Sequence, residues 1–232
     1  MIRGIRVIAI IPARGGSKSI IRKNLQKVGG ISLVGRAIEA AKNTMEIDRV
    51  IVSTDDEEIA QAAKDLGVEF YSRSSELASD SALVADTIRS LRGILRNEGE
   101  DAEIFVLLEP TCPIRPQDLI SNCLEILVST ESDSLATFQE LPTKLERIWK
   151  IEKGTATPYL DGSIPWKPRQ ELSTGYELNG AVYAFYPDRL PDHQPSLLYG
   201  KTQAVITKEH LIDIDTIEDL ERINAFVSKH AE

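Results

Sequence analysis

The chain has 232 residues and a formal net charge of −9, with 27 Lys and Arg against 36 Asp and Glu. That acid excess argues against a general nucleic-acid-binding surface, which needs a basic face, and no apolar run approaches the roughly 20 residues of a membrane-spanning helix. Hydrophobic residues make up 42%, enough for one sizeable core, so residues 1–232 read as a single domain.

In chain order, residues 7–11 are short, continuous and β-branched, as a buried central strand is. With its basic start this stretch superficially resembles a signal peptide, but it is too short for that apolar segment. A polar, Gly-bearing loop follows to about residue 30. Leu33, Val34, Ala37, Ile38 and Ala41 recur at helical spacing. Residues 49–53 predict a second buried strand, and the run "TDDEE" places Thr54 or Asp55 to cap a helix that Gly67 ends. Residues 68–71 read as a short strand, and "SRSSELASDSA" as a polar loop. Leu83, Thr87, Ile88, Leu91 and Leu95 form the next helical face. Residues 103–108 predict a strand, "EPTCPIRP" a rigid proline loop, 117–129 a helix and 135–138 a strand.

From residue 139 to 178 the rhythm changes to prolines, Trp149, Trp166 and short strand-like pieces. This reads as an arm or insertion. Strands return at 180–185, 203–207 and 211–215, and Thr216-x-x-Asp219 opens the last helix. Alternating βα units imply a mainly parallel sheet covered on both faces. Ligands of such sheets bind beyond the carboxyl ends of the strands, so the loops after Ile11, Ser53 and Leu108 share one rim.

The N-terminal loop carries the clearest chemistry. No acidic residue precedes Glu39, while eight Arg and Lys do. Arg14, Lys18 and Lys23 offer charge to a polyanion, and Gly15 and Gly16 let backbone N–H groups approach it. The spacing is neither G-x-G-x-x-G nor G-x-x-x-x-G-K-[ST], which argues against a dinucleotide site or a P-loop. The competing reading is a solvated basic loop.

At the other end, Asp213 and Asp215 stand two apart. On a strand both carboxylates share one face, about 6.5–7 Å apart at Cα, a natural site for a hard cation such as Mg²⁺. Alternatively Asp215 caps the last helix and Asp213 is solvated. Arg73 and Asp80 read as a surface pair, and His193, His210 and His230 as surface residues. Cys112 and Cys123 give no disulfide framework or metal spacing, which implies a reduced, cytoplasmic setting.

The segments "IPARGGSKxIxxKN", "STDDEEIA", "RSSELASD", "LEPTCPIR", "YELNGAVY" and "IDIDT", in this order over essentially the whole chain, resemble the acylneuraminate cytidylyltransferases, the CMP-sialic acid synthetase family. The CMP-Kdo synthetases are less similar in the first loop. The resemblance implies a three-layer α/β/α nucleotidyltransferase (Rossmann-like) fold with a mainly parallel sheet. Residues 139–178 would be its protruding dimerisation arm, reaching the active site of the partner in a homodimer. It implies transfer of CMP from CTP to the anomeric hydroxyl of a nonulosonic acid, with Mg²⁺ and release of pyrophosphate.

By the same resemblance, Arg14, Lys18 and Lys23 hold the triphosphate, Ala13, Gly15, Gly16 and Ser17 bring backbone donors to it, and Asn24 reads the cytosine. Arg73 and residues 77–82, ending at Ala82, complete the base pocket. Asp213 and Asp215 carry Mg²⁺, and Glu109, Lys144, Arg169, Tyr176 and Asn179 meet the sugar acid. Two positions depart from the family. Glu109 stands where many sialic acid members have Gln, and Val84 where a small polar residue is common. An ionised glutamate accepts but does not donate, which suits a substrate hydroxyl or amine better than an acyl carbonyl. The substrate is then sialic, legionaminic, pseudaminic or another nonulosonic acid. Guanylyl transfer and a non-catalytic nucleotide-binding protein remain the alternatives.

Overall fold

The computed structural model describes residues 1–230. The first half runs β1 (Val7–Pro12), the hairpin β2 (Lys27–Val28) and β3 (Ile31–Ser32), α1 (Leu33–Lys42), β4 (Arg49–Thr54), α2 (Glu57–Asp65) and β5 (Glu69–Ser72). Then come α3 (Val84–Asn97), β6 (Ile104–Leu107), α4 (Leu119–Ser129) and β7 (Ser134–Glu140). The chain continues with the hairpin β8 (Trp149–Glu152) and β9 (Thr155–Pro158), then β10 (Tyr176–Phe185), β11 (Thr202–Ile206) and α5 (Ile217–His230).

Seven strands form one sheet in the order β11-β7-β10-β6-β1-β4-β5. Only β10 runs against its neighbours β6 and β7. Strand alternation sorts the core into two layers. Val7, Ala9 and Ile11 of β1 face α1, α2 and α4, among Val34, Ile38, Ile59 and Leu124. Ile8 and Ile10 face the other side, among Ile88 and Leu91 of α3, Phe105 and Phe185. A third cluster docks α5 through Ile223 onto Ile20, Val28, Leu33 and Ile214. The fold is thus the expected α/β/α sandwich. Among the described residues no helix is long and apolar enough to cross a membrane.

The chain passes from β1 outward to β4 and β5, then crosses back to β6 on the other side of β1. The order reverses between β1 and β6, and the loops leaving their carboxyl ends diverge there. This opens a crevice.

Three expectations need correction. Residues 211–215 are not a strand; Ile214 N donates to Thr111 O at 2.8 Å, and that segment adds no rung to the sheet. The cap of α2 is Asp56, whose carboxylate accepts from Glu58 N at 2.9 Å and Ile59 N at 3.0 Å, rather than Thr54 or Asp55. The arm is narrower than residues 139–178, because β7 extends to Glu140 and β10 begins at Tyr176. Between them, the β8–β9 hairpin projects with every β8 side chain exposed.

Candidate active site

The crevice is a cleft of about 530 Å³, lined by residues of four connecting segments and by Val84 and Thr87 of α3. Arg14, Ser17, Lys18, Lys23 and Asn24 come from the loop after β1, and Arg73 and Ala82 from the loop after β5. Glu109 and Thr111 follow β6, and Asp213 and Asp215 come from the segment before α5. Chain ends nearly 200 residues apart therefore meet over the β1/β6 switch point.

The loop after β1 is held from behind. Gly15 N donates to Asp55 Oδ1 at 3.0 Å. A Cβ on Gly15 would lie 2.5 Å from Asp56 Oδ2 and 2.8 Å from Asp56 Cβ, so the residue at this point must be glycine. Asn24 is buried, with its amide donating to Arg14 O at 2.9 Å. Arg22 adopts a left-handed conformation with φ 53° and turns away from the cleft to Glu58. Ala13 is buried under the rim, pairing its N–H with Ser53 O, and Gly16 is exposed. Neither Ala13, Gly15 nor Gly16 offers a side chain to the cleft.

The cations are already engaged. Arg14 and Lys18 both meet Asp80, at 3.1 and 2.5 Å. This corrects the expected Arg73–Asp80 pair. Arg73 instead turns to Ser53, donating to its carbonyl at 3.0 Å. Lys23 reaches the far side, donating to Ile214 O at 2.8 Å and Asp215 Oδ1 at 3.0 Å.

Desolvation holds the Asp213 carboxyl above its ordinary range, and Asp215 adds repulsion, against a hydrogen bond from Thr111 and the pull of Lys23. Asp215 is not the helix cap. Thr216 and Asp219 cap α5 reciprocally, Thr216 N to Asp219 Oδ2 at 2.9 Å and Asp219 N to Thr216 Oγ1 at 3.2 Å, which leaves the Asp215 carboxylate facing the cleft.

Glu109 is the third acid of this floor. Burial, then repulsion from Asp213, pushes its carboxyl up to about 7. Burial, then the charge of Glu109, holds the neighbouring Tyr183 hydroxyl above its ordinary range. Behind it Arg115 holds the loop by its backbone, donating to Glu109 O at 2.6 Å and Ala181 O at 2.7 Å.

The other residues assigned to the sugar acid stand apart from this cleft. Asn179 is buried in the sheet, accepting from Thr137 Oγ1 at 2.6 Å and donating to Thr207 Oγ1 at 3.1 Å. Its amide is committed to the bulge of β10, whose register shifts between Leu178 and Tyr183. Lys144 pairs with Glu140 and Thr174 at the base of the arm. Arg169 is exposed on a short 3₁₀ turn, and Tyr176 is half-exposed at the start of β10. Of the histidines, His193 and His210 are exposed, with His210 Nε2 facing Gln139 at 3.4 Å. The side chain of His230 lies outside the described part.

Thr111, a hydroxyl of the proline loop beside Glu109, lines the cleft, while sequence reasoning missed Ser19 and Thr87 as cleft residues. A hydroxyl in a polar loop or on a helical face carries no spacing signal. Asp80 was legible as a charged partner in a polar loop, but not as the partner of Arg14 and Lys18.

A model of the cytidylyltransferase family matches residues 8–229. The chain is 28% identical to the pseudaminic acid cytidylyltransferase of Campylobacter jejuni subsp. jejuni serotype O:2, covering 92% of this chain and 93% of that one. It is 29% identical to the N-acylneuraminate cytidylyltransferase of Streptococcus agalactiae serotype III, covering 91% of this chain but 51% of that longer protein. Among solved structures, a CMP:2-keto-3-deoxy-manno-octonic acid synthetase complexed with CTP superposes with a TM-score of 0.68 at 19% identity, over 97% of this chain and 99% of that one. The fold likeness extends to a 4-diphosphocytidyl-2C-methyl-D-erythritol synthase of Anaerococcus prevotii, with a TM-score of 0.65 at 18% identity over 98% of both chains. With a family model spanning nearly its full length, the chain belongs to the cytidylyltransferase family.

Proposed function

We propose that the protein transfers CMP from CTP to the anomeric hydroxyl of a nonulosonic acid of the sialic or pseudaminic type, releasing pyrophosphate. The observation that carries this reading is the single cleft in which Arg14, Lys18 and Lys23 face Asp213 and Asp215 across the β1/β6 crevice. Both groups of curated relatives named above act on acids of this class.

In this reading Arg14 and Lys18 pair with phosphate oxygens, and the N–H groups around Gly16 and Ser17 add neutral donors. Asn24 has its amide N–H on Arg14 O, which leaves its carbonyl oxygen to accept from the exocyclic amine of cytosine. Such a pocket rejects a base that leaves that oxygen unpaired. Lys23 stands beside Asp215 and shares charge with the α-phosphate.

The donor set fits Mg²⁺. Two carboxylates, one of them desolvated and repelled by the other, suit a hard cation completed by phosphate oxygens and water. Among the described residues no cluster of three or more His, Cys, Asp or Glu forms a closed metal cage, and an open, partly phosphate-ligated site needs none. When bound there, Mg²⁺ would neutralise charge on the α-phosphate and the leaving pyrophosphate. The rest of catalysis is positioning for an in-line displacement, with no covalent enzyme intermediate.

Glu109 marks the sugar side of the floor. Its carboxylate accepts from a substrate hydroxyl or amine. Lys144 and Arg169 lie on the arm and Tyr176 at its junction with β10, so they meet the sugar acid only from there. We propose that they do so across a homodimer. The arm's exposed apolar side chains support that assembly, with Trp166 84% and Tyr159 67% exposed. Asn179, which the sequence assigned to the sugar, acts instead by fixing the β10 bulge. The setting is cytoplasmic, where CTP is made available.

Pyrophosphate release tests the reading. The purified protein is incubated with CTP, GTP, ATP or UTP and with N-acetylneuraminic, legionaminic, pseudaminic or 2-keto-3-deoxyoctonic acid. Release is expected with CTP and a nine-carbon acid. Release with GTP alone, or with none of the pairs, rejects it.

A further inference from the structure

The loop after β5 carries an acid for which the proposed reaction has no use. Asp80 stands between the two outermost cations of the cleft. One carboxylate oxygen lies 3.1 Å from Arg14 Nη1 and the other 2.5 Å from Lys18 Nζ. The same Arg14 nitrogen also donates to the Ser79 carbonyl at 3.1 Å. One short segment therefore presents a carboxylate and a carbonyl to the same guanidinium. The hydrogen bond and charge of Lys18, then Arg14, hold the Asp80 carboxyl below its ordinary range, so it is an anion at neutral pH.

Two features argue against a purely structural pair. Lys18 and Asp80 have side chains 84% and 49% exposed, and exposed pairs add little to stability. The loop is also fastened independently, by Ala78 N to Ser74 O at 3.0 Å and Ala82 N to Ser79 O at 3.2 Å. What Asp80 does occupy is the anion-facing side of both cations, inside the cleft. Leu77, Ser79 and Ala82 of the same loop line that cleft too.

We propose that Asp80 is an internal competitor for Arg14 and Lys18: its carboxylate takes the place of phosphate oxygens in the free enzyme, yields it to CTP, and returns as pyrophosphate leaves. This rests on the reading that Arg14 and Lys18 hold the triphosphate. Any ligand that needs both cations then binds more weakly by the factor by which the closed pair outweighs the open one. Because Asp80 shares its loop with Leu77 and Ala82, the arrival of phosphate and the arrangement of the base-side wall are linked. Weaker pyrophosphate retention speeds the step after chemistry.

Calorimetric titration of CTP, and separately of inorganic pyrophosphate, tests this without a sugar acid. The proteins are wild type, Asp80→Asn, Asp80→Ala and Arg14→Ala. Both Asp80 variants are expected to bind both ligands tighter, by about 3- to 10-fold at low salt, with the gain shrinking as salt screens the pair. Arg14→Ala is expected to bind both more weakly. If Arg14→Ala weakens binding while the Asp80 variants bind no tighter than wild type, the competitor role is overturned and the phosphate site stands. If Arg14→Ala changes nothing, the underlying phosphate assignment falls, and the competitor role with it.

Discussion

Lys23 and Asp215, 192 residues apart in the chain, are joined at 3.0 Å, and the same ammonium donates to the Ile214 carbonyl at 2.8 Å. This contact ties the loop after β1 to the segment before α5, which otherwise adds no rung to the sheet. The two bonds are unequal. Asp215 is 75% exposed, so the ion pair itself adds little, whereas the bond to Ile214 O serves a backbone group next to a buried residue. Lys23→Met should therefore cost about 1–3 kcal/mol, read as a lower urea midpoint at unchanged m-value. Asp215→Asn should cost less than about 1 kcal/mol. Equal losses in the two variants would show that the ion pair, not the carbonyl bond, holds this seam.

Gly15 is fixed by contact, since an added methyl would meet Asp56 at 2.5–3.0 Å. Asp56 cannot retreat freely, because its carboxylate caps α2. Gly15→Ala should thus destabilise by about 1–3 kcal/mol, through overpacking and partial loss of the cap. Thermal unfolding checks it, and an unchanged midpoint would mean that the loop shifts without cost.

Much of this architecture was legible in the sequence. The β1, β4 and β6 strands are built on short, β-branched apolar runs of the kind a buried parallel sheet uses, and α1, α3 and α5 show plain helical periodicity. The cation loop and the Asp213–Asp215 pair could be matched because each carries an unusual charge pattern. Other features were not encoded locally. The sequence points to Thr54 or Asp55 as the cap of α2, but Gly15, 40 residues away, takes the Asp55 carboxylate, and Asp56 caps the helix. Residues 211–215 alternate like a strand, yet Ile214 N pairs with Thr111 O of the proline loop, and Leu211 N bonds a side chain, so the segment joins no sheet. Asn179 looked like a polar site residue, but the β10 bulge consumes its amide. Tertiary pairing decided each of these.

Glu109 gives a pH dependence with a definite sign. Its folded carboxyl is raised to about 7 from an ordinary 4.5. The folded state therefore holds the proton more tightly than the unfolded chain, and stability falls as pH rises across that window. Glu109→Gln removes the penalty. In the absence of ligands the variant should be more stable than wild type at pH 8 by roughly 1–3 kcal/mol, and the two should converge near pH 4. Guanidinium midpoints measured from pH 4 to 8 provide the check. Parallel curves would contradict the burial of this carboxyl.

The central claim is that the cation loop and the terminal aspartates form one site for CTP transfer. CTP-dependent pyrophosphate release with a nonulosonic acid, compared between wild type and Asp213→Asn, tests it most directly. The account predicts release by wild type and a loss of roughly 100-fold or more in kcat for the variant, of the size seen when a transition-state electrostatic group is removed, with CTP still binding through Arg14 and Lys18. Equal turnover by the two proteins, or none by wild type with any nonulosonic acid, would contradict it.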